Sequence, residues 1–183
     1  MRSMEPTSGL TYADLLAYDD DIRREIIDGE LFVTPSPRVD HQRCVGRLHL
    51  LLAPFVRDRA LGEVLLGPTD VVFEPRNVCV PDLIVVANDR GGLVTEMNVQ
   101  GSPTLVIEVL SDARHDRVRK RAIYERFGVP EYWIVDPDSD RVDVYRLDGG
   151  GYGKPIILRP GDQLTSPSLP GLEIDLSALF RLD

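Results

Sequence analysis

A single acidic residue, Glu108, interrupts the most apolar stretch of the chain, residues 105–110. A run of branched apolar residues of this length predicts a β-strand that is buried on both faces. A carboxylate in that position is costly unless a cation pairs with it, a proton neutralises it or it binds a metal. The fold must therefore bring a partner to Glu108, and the identity of that partner limits what the chain can do.

A second acid, Asp82, follows Pro81 in another apolar segment, which we predict to be one strand over residues 78–86. If the two strands are neighbours, the two carboxylates come together and cannot both stay ionised without a cation. Carboxylate oxygens and water suit Mg²⁺ or Mn²⁺. Asp82 and Glu108 therefore predict a divalent metal site. The alternative for Asp82 is a structural role in a turn after Pro81.

A helix is predicted to follow Glu108, beginning at Ser111 or Asp112 and continuing to Phe127. It ends there because Gly128 can adopt the left-handed conformation after a helix and Pro130 cannot continue one.

Two charged residues of this helix fall on the same face as its apolar residues. The apolar residues predict that this face is directed towards the core, so the charged residues on it are directed inward as well. Lys120 is the cation on that face, and we predict that it is the partner of Glu108. A purely structural ion pair between Lys120 and Glu108 is the alternative. The face consists of Asp116, Lys120, Ile123, Tyr124 and Phe127.

The rest of the chain predicts further strands and one more long helix. Asp28-Gly29 lies between two apolar runs over residues 26–33, which is typical of a β-hairpin. Apolar periodicity predicts a helix over residues 38–60. A second hairpin is predicted over residues 131–146, and a looser tail from Gly149. The expected fold class is α/β, a central mixed β-sheet flanked by helices, with an N-terminal β-hairpin and a β-rich C-terminal tail.

Chain length and composition predict a single cytoplasmic domain. The 183 residues suit one domain, with a core over about residues 25–145 and a C-terminal extension over 146–183. No apolar run is long enough for a membrane helix or a signal peptide. The two cysteines form no Cys-x-x-Cys motif, which fits a reducing compartment.

The net charge of −9 argues against nucleic-acid binding through the overall field of the protein. A local basic surface is still available on the helix that follows Glu108, and it could contact phosphates. A solvated helix face is the alternative. The cations concerned are Arg114, Arg117, Arg119 and Arg121.

Two short motifs resemble the PD-(D/E)XK nuclease superfamily. Pro81-Asp82 matches the first motif, and Glu108-Val109-Leu110 matches the second except that Leu110 stands in the place of the lysine. Within the superfamily the lysine can come from the following helix instead. The resemblance thus implies that Lys120 takes over that function.

The longer pattern is similar to the Uma family of restriction-endonuclease-like proteins, over roughly residues 25–144. It includes Glu108 to Ser111 and the segments 128–133 and 135–137, with upstream matches at 28–31, 35–37 and His41. The pattern also includes three residues at intervals of four, Asp116, Lys120 and Tyr124.

This resemblance implies a restriction-endonuclease-like core and an endonuclease that depends on Mg²⁺ or Mn²⁺ and hydrolyses DNA. Asp82 and Glu108 would bind the metal, and Lys120 would orient or activate water. A homodimer is expected, because paired sites related by two-fold symmetry can cut both strands. The alternative is an inactive nuclease-fold module that binds DNA or a protein partner.

Four further residues have less defined roles. Glu30 is either an additional metal ligand or an ordinary strand carboxylate, and His41 is either part of the active site or a surface residue near the start of a helix. Asp116 and Tyr124 are expected to support Lys120 or pack the helix rather than to act in catalysis.

Overall fold

The computed structural model describes residues 9–20, 22–34, 36–110 and 114–180, and for residues 114–117 it describes the backbone alone. In this part of the chain, fourteen strands form sheets of five, seven and two strands. The strands are β1 (Arg24–Ile27), β2 (Glu30–Val33), β3 (Gly62–Leu66), β4 (Val71–Glu74), β5 (Asn77–Cys79), β6 (Leu83–Ala87), β7 (Val99–Gln100), β8 (Leu105–Val109), β9 (Glu131–Asp136), β10 (Arg141–Asp148), β11 (Gly151–Tyr152), β12 (Ile156–Leu158), β13 (Gln163–Ser166) and β14 (Leu169–Asp175).

Two long helices occur where the apolar periodicity predicts them. The second of these ends before Gly128, whose φ of 72° is the left-handed conformation expected after a helix. The predicted caps Ser111 and Asp112 lie outside the described residues. Among the described helices, none is both long enough and apolar enough to cross a membrane. The helices are α1 (Tyr12–Leu15), α2 (Val39–Asp58), α3 (Arg114–Arg126) and α4 (Leu176–Phe180), with a 3₁₀ helix over Asn88–Leu93.

The five-stranded sheet has the order β2-β1-β5-β4-β7. Its first two strands form the predicted hairpin, and Asp28 and Gly29 both have positive φ angles, 54° and 83°. These angles are those of a type I′ turn, which suits the twist of the flanking strands. The hairpin is therefore confirmed, and it forms one edge of a larger sheet.

The seven-stranded sheet has the order β11-β10-β9-β8-β6-β3, with β12 also paired to β10. It is a mixed sheet, because β8 and β9 are parallel while β6 and β8 are antiparallel. The α/β fold class and the predicted proximity of the segments that contain Asp82 and Glu108 are both confirmed.

Side chains alternate between the two faces of β8, and each face has its own core. Leu105 and Ile107 belong to the cluster that includes Leu48 and Leu52 of α2. Val106 belongs to the opposite cluster, with residues of α3 and of the five-stranded sheet. Glu108 shares the parity of Val106 and bonds to α3. The acid is thus buried between the seven-stranded sheet, the five-stranded sheet and α3.

The segment 78–86 is not one strand, and this prediction was wrong. β5 ends at Cys79 in the five-stranded sheet and β6 begins at Leu83 in the seven-stranded sheet, so residues 80–82 connect two sheets. Pro81 has no N–H for a strand ladder, which favours a break at this position. The connection is held by a hydrogen bond of 2.9 Å from the N–H of Gly67 to the carbonyl oxygen of Asp82.

The C-terminal segment is more ordered than the expected loose tail. Gly149 and Gly150 have positive φ angles and form a tight turn that pairs β10 with β11. β13 and β14 then pair with each other. Leu164, Leu172 and Leu179 are buried in the same cluster as the apolar face of α2, so the segment completes that core.

Gly67→Ala is expected to destabilise the fold by roughly 1–3 kcal/mol, because a Cβ there would lie 2.6 Å from the carbonyl oxygen of Pro81. Gly46→Ala is the matched control. Gly46 lies inside α2, and apart from its chain neighbours and the backbone of its own helix no atom lies within 4 Å of its Cβ position. Alanine at this position should therefore stabilise the protein by roughly 0.5–1 kcal/mol. Urea denaturation of both variants measures the difference, and equal effects would contradict the close contact at Gly67.

Candidate active site

Asp82 lies at the connection between the two sheets and is only 6% exposed. Its Oδ2 accepts a hydrogen bond of 2.8 Å from the N–H of Val109 and lies 3.1 Å from Nε2 of His41. Its Oδ1 is 3.5 Å from the guanidinium of Arg23. Burial alone would raise the pKa of Asp82, but these neighbours outweigh burial and lower the pKa below its usual value. Asp82 is therefore an ionised carboxylate bound to other elements of the fold.

Glu108 is buried at the end of β8, and two donors meet at its Oε1. The ammonium of Lys120 is 3.1 Å away and the hydroxyl of Tyr124 donates a bond of 2.6 Å. Burial raises the pKa of Glu108 to about 8, although Lys120 opposes the shift; the charges of Asp82 and Glu25 raise the pKa further. These surroundings therefore favour the protonated form of Glu108 more than water does.

The register of β6 and β8 brings the two acids together. Leu83 lies opposite Ile107 in this antiparallel pair. Asp82 comes one residue before Leu83 and Glu108 one residue after Ile107, so both acids extend from the same end of the pair. The prediction that neighbouring segments bring Asp82 and Glu108 side by side agrees with this geometry, although Asp82 precedes its strand instead of lying within it.

Lys120 contacts a third carboxylate that the sequence patterns did not single out. Its ammonium is 2.8 Å from Oε1 of Glu25, and that oxygen also accepts a bond of 2.6 Å from the N–H of Val80. Glu25 is 1% exposed and Lys120 is 3% exposed. The ammonium of Lys120 thus contacts one carboxylate on β1 and one on β8, and these two contacts explain why the lysine is directed inward from α3.

Glu25 and Arg23 are the two site residues that sequence reasoning missed. The one sequence feature at Glu25 is an acid directly before two apolar residues, Ile26 and Ile27, of the predicted hairpin. This feature is weak, because acids are common at strand ends. Arg23 precedes the strand and has no distinguishing pattern; its guanidinium donates to the carbonyl oxygen of Val80 as well as approaching Asp82.

A model of the Uma2 family, described as "Putative restriction endonuclease", matches residues 11–177. The chain belongs to the Uma2 family. The match confirms the resemblance and supports a nuclease.

The fold is also similar to a solved structure, the crystal structure of a "putative nuclease belonging to DUF820" from Anabaena variabilis. The TM-score is 0.80 and the sequences are 19% identical, over 93% of this chain and 97% of that one. At this level of identity the likeness shows a common fold. Comparison with curated proteins gives no match.

Two of the residues whose roles the sequence leaves open lie beside the buried acids in this Uma2-family chain. His41 is 5% exposed and bonds to Asp82, so it is not a surface residue. Its other nitrogen, Nδ1, is buried and has no hydrogen-bond partner among the described residues. Tyr124 donates to Glu108 and supports the acid from one turn beyond Lys120.

Other predicted site residues of this Uma2-family chain lie away from the buried acids. Glu30 is exposed on β2, with Arg119 as its ion-pair partner at 4.0 Å, and the structure does not bring it to the buried acids. Arg121 instead donates to the carbonyl oxygen of Tyr152, on the other side of α3. These two arginines therefore do not form one continuous surface. The side chains of Arg114, Asp116 and Arg117 lie outside the described residues.

The donor set at Asp82 and Glu108 fits a hard divalent cation. Both hydrogen bonds of Glu108 fall on Oε1, and no donor among the described residues contacts its Oε2. Within the same part of the chain, no group of three or more His, Cys, Asp or Glu side chains is arranged to hold a metal. Two carboxylates with water in the remaining positions are a common arrangement for Mg²⁺, which keeps several waters when bound.

A cavity of about 560 Å³ reaches the Asp82 side of this site. Asp82, His41 and Arg23 form part of its wall. A pocket of this size next to a buried acid is a typical place for a substrate to bind.

The Glu108→Gln variant should remove a pH-dependent loss of stability in metal-free protein. The folded pKa of about 8 is above the ordinary value of 4.5, so the folded chain binds more protons between these pH values. The free energy of unfolding of the wild type should therefore fall as pH rises from 4.5 to 8, by at most about 1.4 kcal/mol per pH unit from this group.

Urea denaturation in EDTA at pH 5, 6, 7 and 8 measures this dependence. The stability of Glu108→Gln relative to wild type should increase with pH. Parallel curves for the two proteins would show that Glu108 is ionised throughout.

Proposed function

We propose that this Uma2-family chain is a divalent-metal-dependent endonuclease that hydrolyses phosphodiester bonds in DNA. The observation that carries the proposal is the pair of buried acids, Asp82 and Glu108, with one buried lysine beside them. Isolated buried carboxylates with perturbed pKa values are common at active sites. Membership of the Uma2 family and the fold it shares with the Anabaena variabilis protein support the same reaction class.

Asp82 and Glu108 are the residues that would hold Mg²⁺ or Mn²⁺. When bound, the ion would supply a Lewis acid for a phosphate oxygen and a water of lowered pKa. The carboxylate of Asp82 is already fixed for this task, because Val109 and His41 hold its Oδ2. Lys120 and Tyr124 hold Glu108 through Oε1, and no donor among the described residues contacts Oε2, the oxygen proposed to bind the ion.

Lys120 supplies the positive charge that the second motif lacks at Leu110. Its ammonium lies at 3.1 Å from Glu108, although it comes from the next helix. A compact ammonium beside the acids can hold the attacking water and stabilise negative charge on the reacting phosphate. Glu25 keeps this ammonium in place from the opposite side. The lysine function is thus proposed to be relocated to α3.

Substrate contacts outside the buried acids are proposed for the arginines of α3. Arg119 is exposed, and it is proposed to contact phosphates, as are Arg114 and Arg117. Arg121 lies on the other side of α3, where it is bonded to the carbonyl oxygen of Tyr152, and it is not proposed to join them. The chain is proposed to be a homodimer, in which two sites related by two-fold symmetry can act on two strands. It is proposed to act in the cytoplasm.

Asp82→Asn and Lys120→Met should each reduce plasmid cleavage in Mn²⁺ by roughly 10²-fold or more, because each removes a charge that acts on the reacting phosphate. Gel electrophoresis of the plasmid over time measures the rate. Asp40→Asn is the matched control, since Asp40 is an exposed acid paired with Arg43 on α2. Circular dichroism confirms that each variant is folded. Equal cutting by all four proteins would contradict the proposal.

An inactive nuclease-fold module is the second candidate. It is favoured by the net charge of −9 and by the ammonium of Lys120, which is already engaged by Glu25 and Glu108. Such a module would bind DNA or a protein partner and would not need a metal.

Calorimetric titration with Mn²⁺ separates the two candidates. A metal-dependent nuclease should bind Mn²⁺, and Glu108→Gln should weaken binding by roughly tenfold or more, because a carboxylate ligand is lost. Glu63→Gln is the control, since Glu63 is an exposed strand acid on β3. Mn²⁺ binding that is absent, or the same in wild type and Glu108→Gln, would favour the inactive module.

A further inference from the structure

We infer that the cavity beside Asp82 receives an unpaired nucleobase, so that the substrate is single-stranded DNA or DNA with a locally unpaired nucleotide. This inference rests on the proposed function and specifies its substrate class. It follows from the shape of the cavity, the side chains that line it and the charge of the chain.

The cavity has a mixed lining, with large apolar side chains in one part of its wall and Asp82 of the candidate site in another. Leu16, Tyr18 and Ile22 line it from the segment between α1 and β1, and they are 62%, 43% and 50% exposed. His41 and Asp82 line it from the interior. Large apolar side chains that converge on one concave surface usually mark a binding site. A base in this cavity would therefore lie next to the acid proposed to act on its phosphate.

Tyr18 is held in place although it is exposed. The guanidinium carbon of Arg24 lies 4.0 Å from the centre of its ring, which is a cation–π contact. Asp20 fixes that guanidinium through a hydrogen bond of 2.8 Å to Oδ2. The hydrogen bond from Arg24 lowers the pKa of Asp20 to about 2, so the pair stays charged. A restrained aromatic ring loses little entropy on binding, which suits stacking against a base.

The same strand positions Tyr18 and the buried acids. Arg23 directly precedes β1, and Arg24 and Glu25 are the first two residues of that strand. Arg23 contacts Asp82, Arg24 covers Tyr18, and Glu25 binds Lys120. The aromatic ring therefore has a fixed position relative to the groups proposed to cleave the strand.

The charge of the chain favours stacking over phosphate contacts as the source of affinity. Duplex binding depends strongly on cations that displace the counterions of DNA. This chain has a net charge of −9, and the cavity arginines Arg23 and Arg24 are already paired with Asp82 and Asp20. Stacking of unpaired bases on aromatic side chains is a further source of affinity, which adds to any contact with phosphates. A duplex with all bases stacked inside has no base to offer the cavity.

Fluorescence of 2-aminopurine in a DNA oligonucleotide tests the inference. Binding is measured in EDTA, with the same sequence as a single strand and as a full duplex. The wild type should bind the single strand more tightly and quench the probe. Tyr18→Ala should weaken binding of the single strand by roughly tenfold, and Tyr18→Phe should restore it, because stacking needs the ring and not the hydroxyl.

Leu50→Ala is the matched control, since Leu50 is 72% exposed on α2 and does not line the cavity. It should bind as the wild type does. Equal affinity for duplex and single strand, unchanged binding by Tyr18→Ala, or no binding to either DNA would overturn the inference.

Cleavage of the same oligonucleotides in Mn²⁺ separates this inference from the proposed function. Tyr18-dependent binding without any cleavage would leave the inference standing and reject the nuclease. Cleavage of the duplex at the same rate by wild type and Tyr18→Ala would support the nuclease and reject the inference.

Discussion

The ammonium of Lys120 joins three elements of the structure. It extends from α3 and contacts Glu25 of β1 and Glu108 of β8, which belong to different sheets. Each contact is buried, so removal of the lysine would leave two carboxylates without this cation in a poorly solvated place. The packing of the five-stranded sheet and α3 against the seven-stranded sheet therefore depends on the ammonium of Lys120, the group that is also proposed to act on phosphate.

Much of this arrangement could be predicted from local patterns. The pairing of Glu108 with Lys120 followed from two facts, an acid in an apolar strand and a lysine on the apolar face of the next helix. The break at Pro81 was missed because apolar residues continue on both sides of it, and hydropathy does not show a change of sheet. Glu25 and His41 could not be placed, since their partners are distant in sequence and hydrogen bonds between distant elements leave no periodic pattern.

Three buried carboxylates, Glu25, Asp82 and Glu108, lie close to one another. Among the described residues, the basic side chains in contact with them are Lys120, His41 and the more distant Arg23. Burial and the charges of Asp82 and Glu25 raise the pKa of Glu108 above its usual value. A chain selected for stability alone would more easily place apolar residues here, because buried ion pairs are often neutral or unfavourable. A role of these acids in the proposed metal binding would account for their place in the core.

The connection at residues 80–82 also makes the geometry of the candidate site depend on the relative position of the two sheets. The N–H of Val80 is bonded to Glu25 of the five-stranded sheet, while the side chain of Asp82 is bonded to Val109 of the seven-stranded sheet. The separation of the two acids is therefore set by how the sheets are aligned, and not by either sheet alone. Slippage of one sheet relative to the other would misalign the acids while every strand ladder remained intact. Activity would then be lost before secondary structure, and substitutions far from the acids could abolish it through sheet alignment alone.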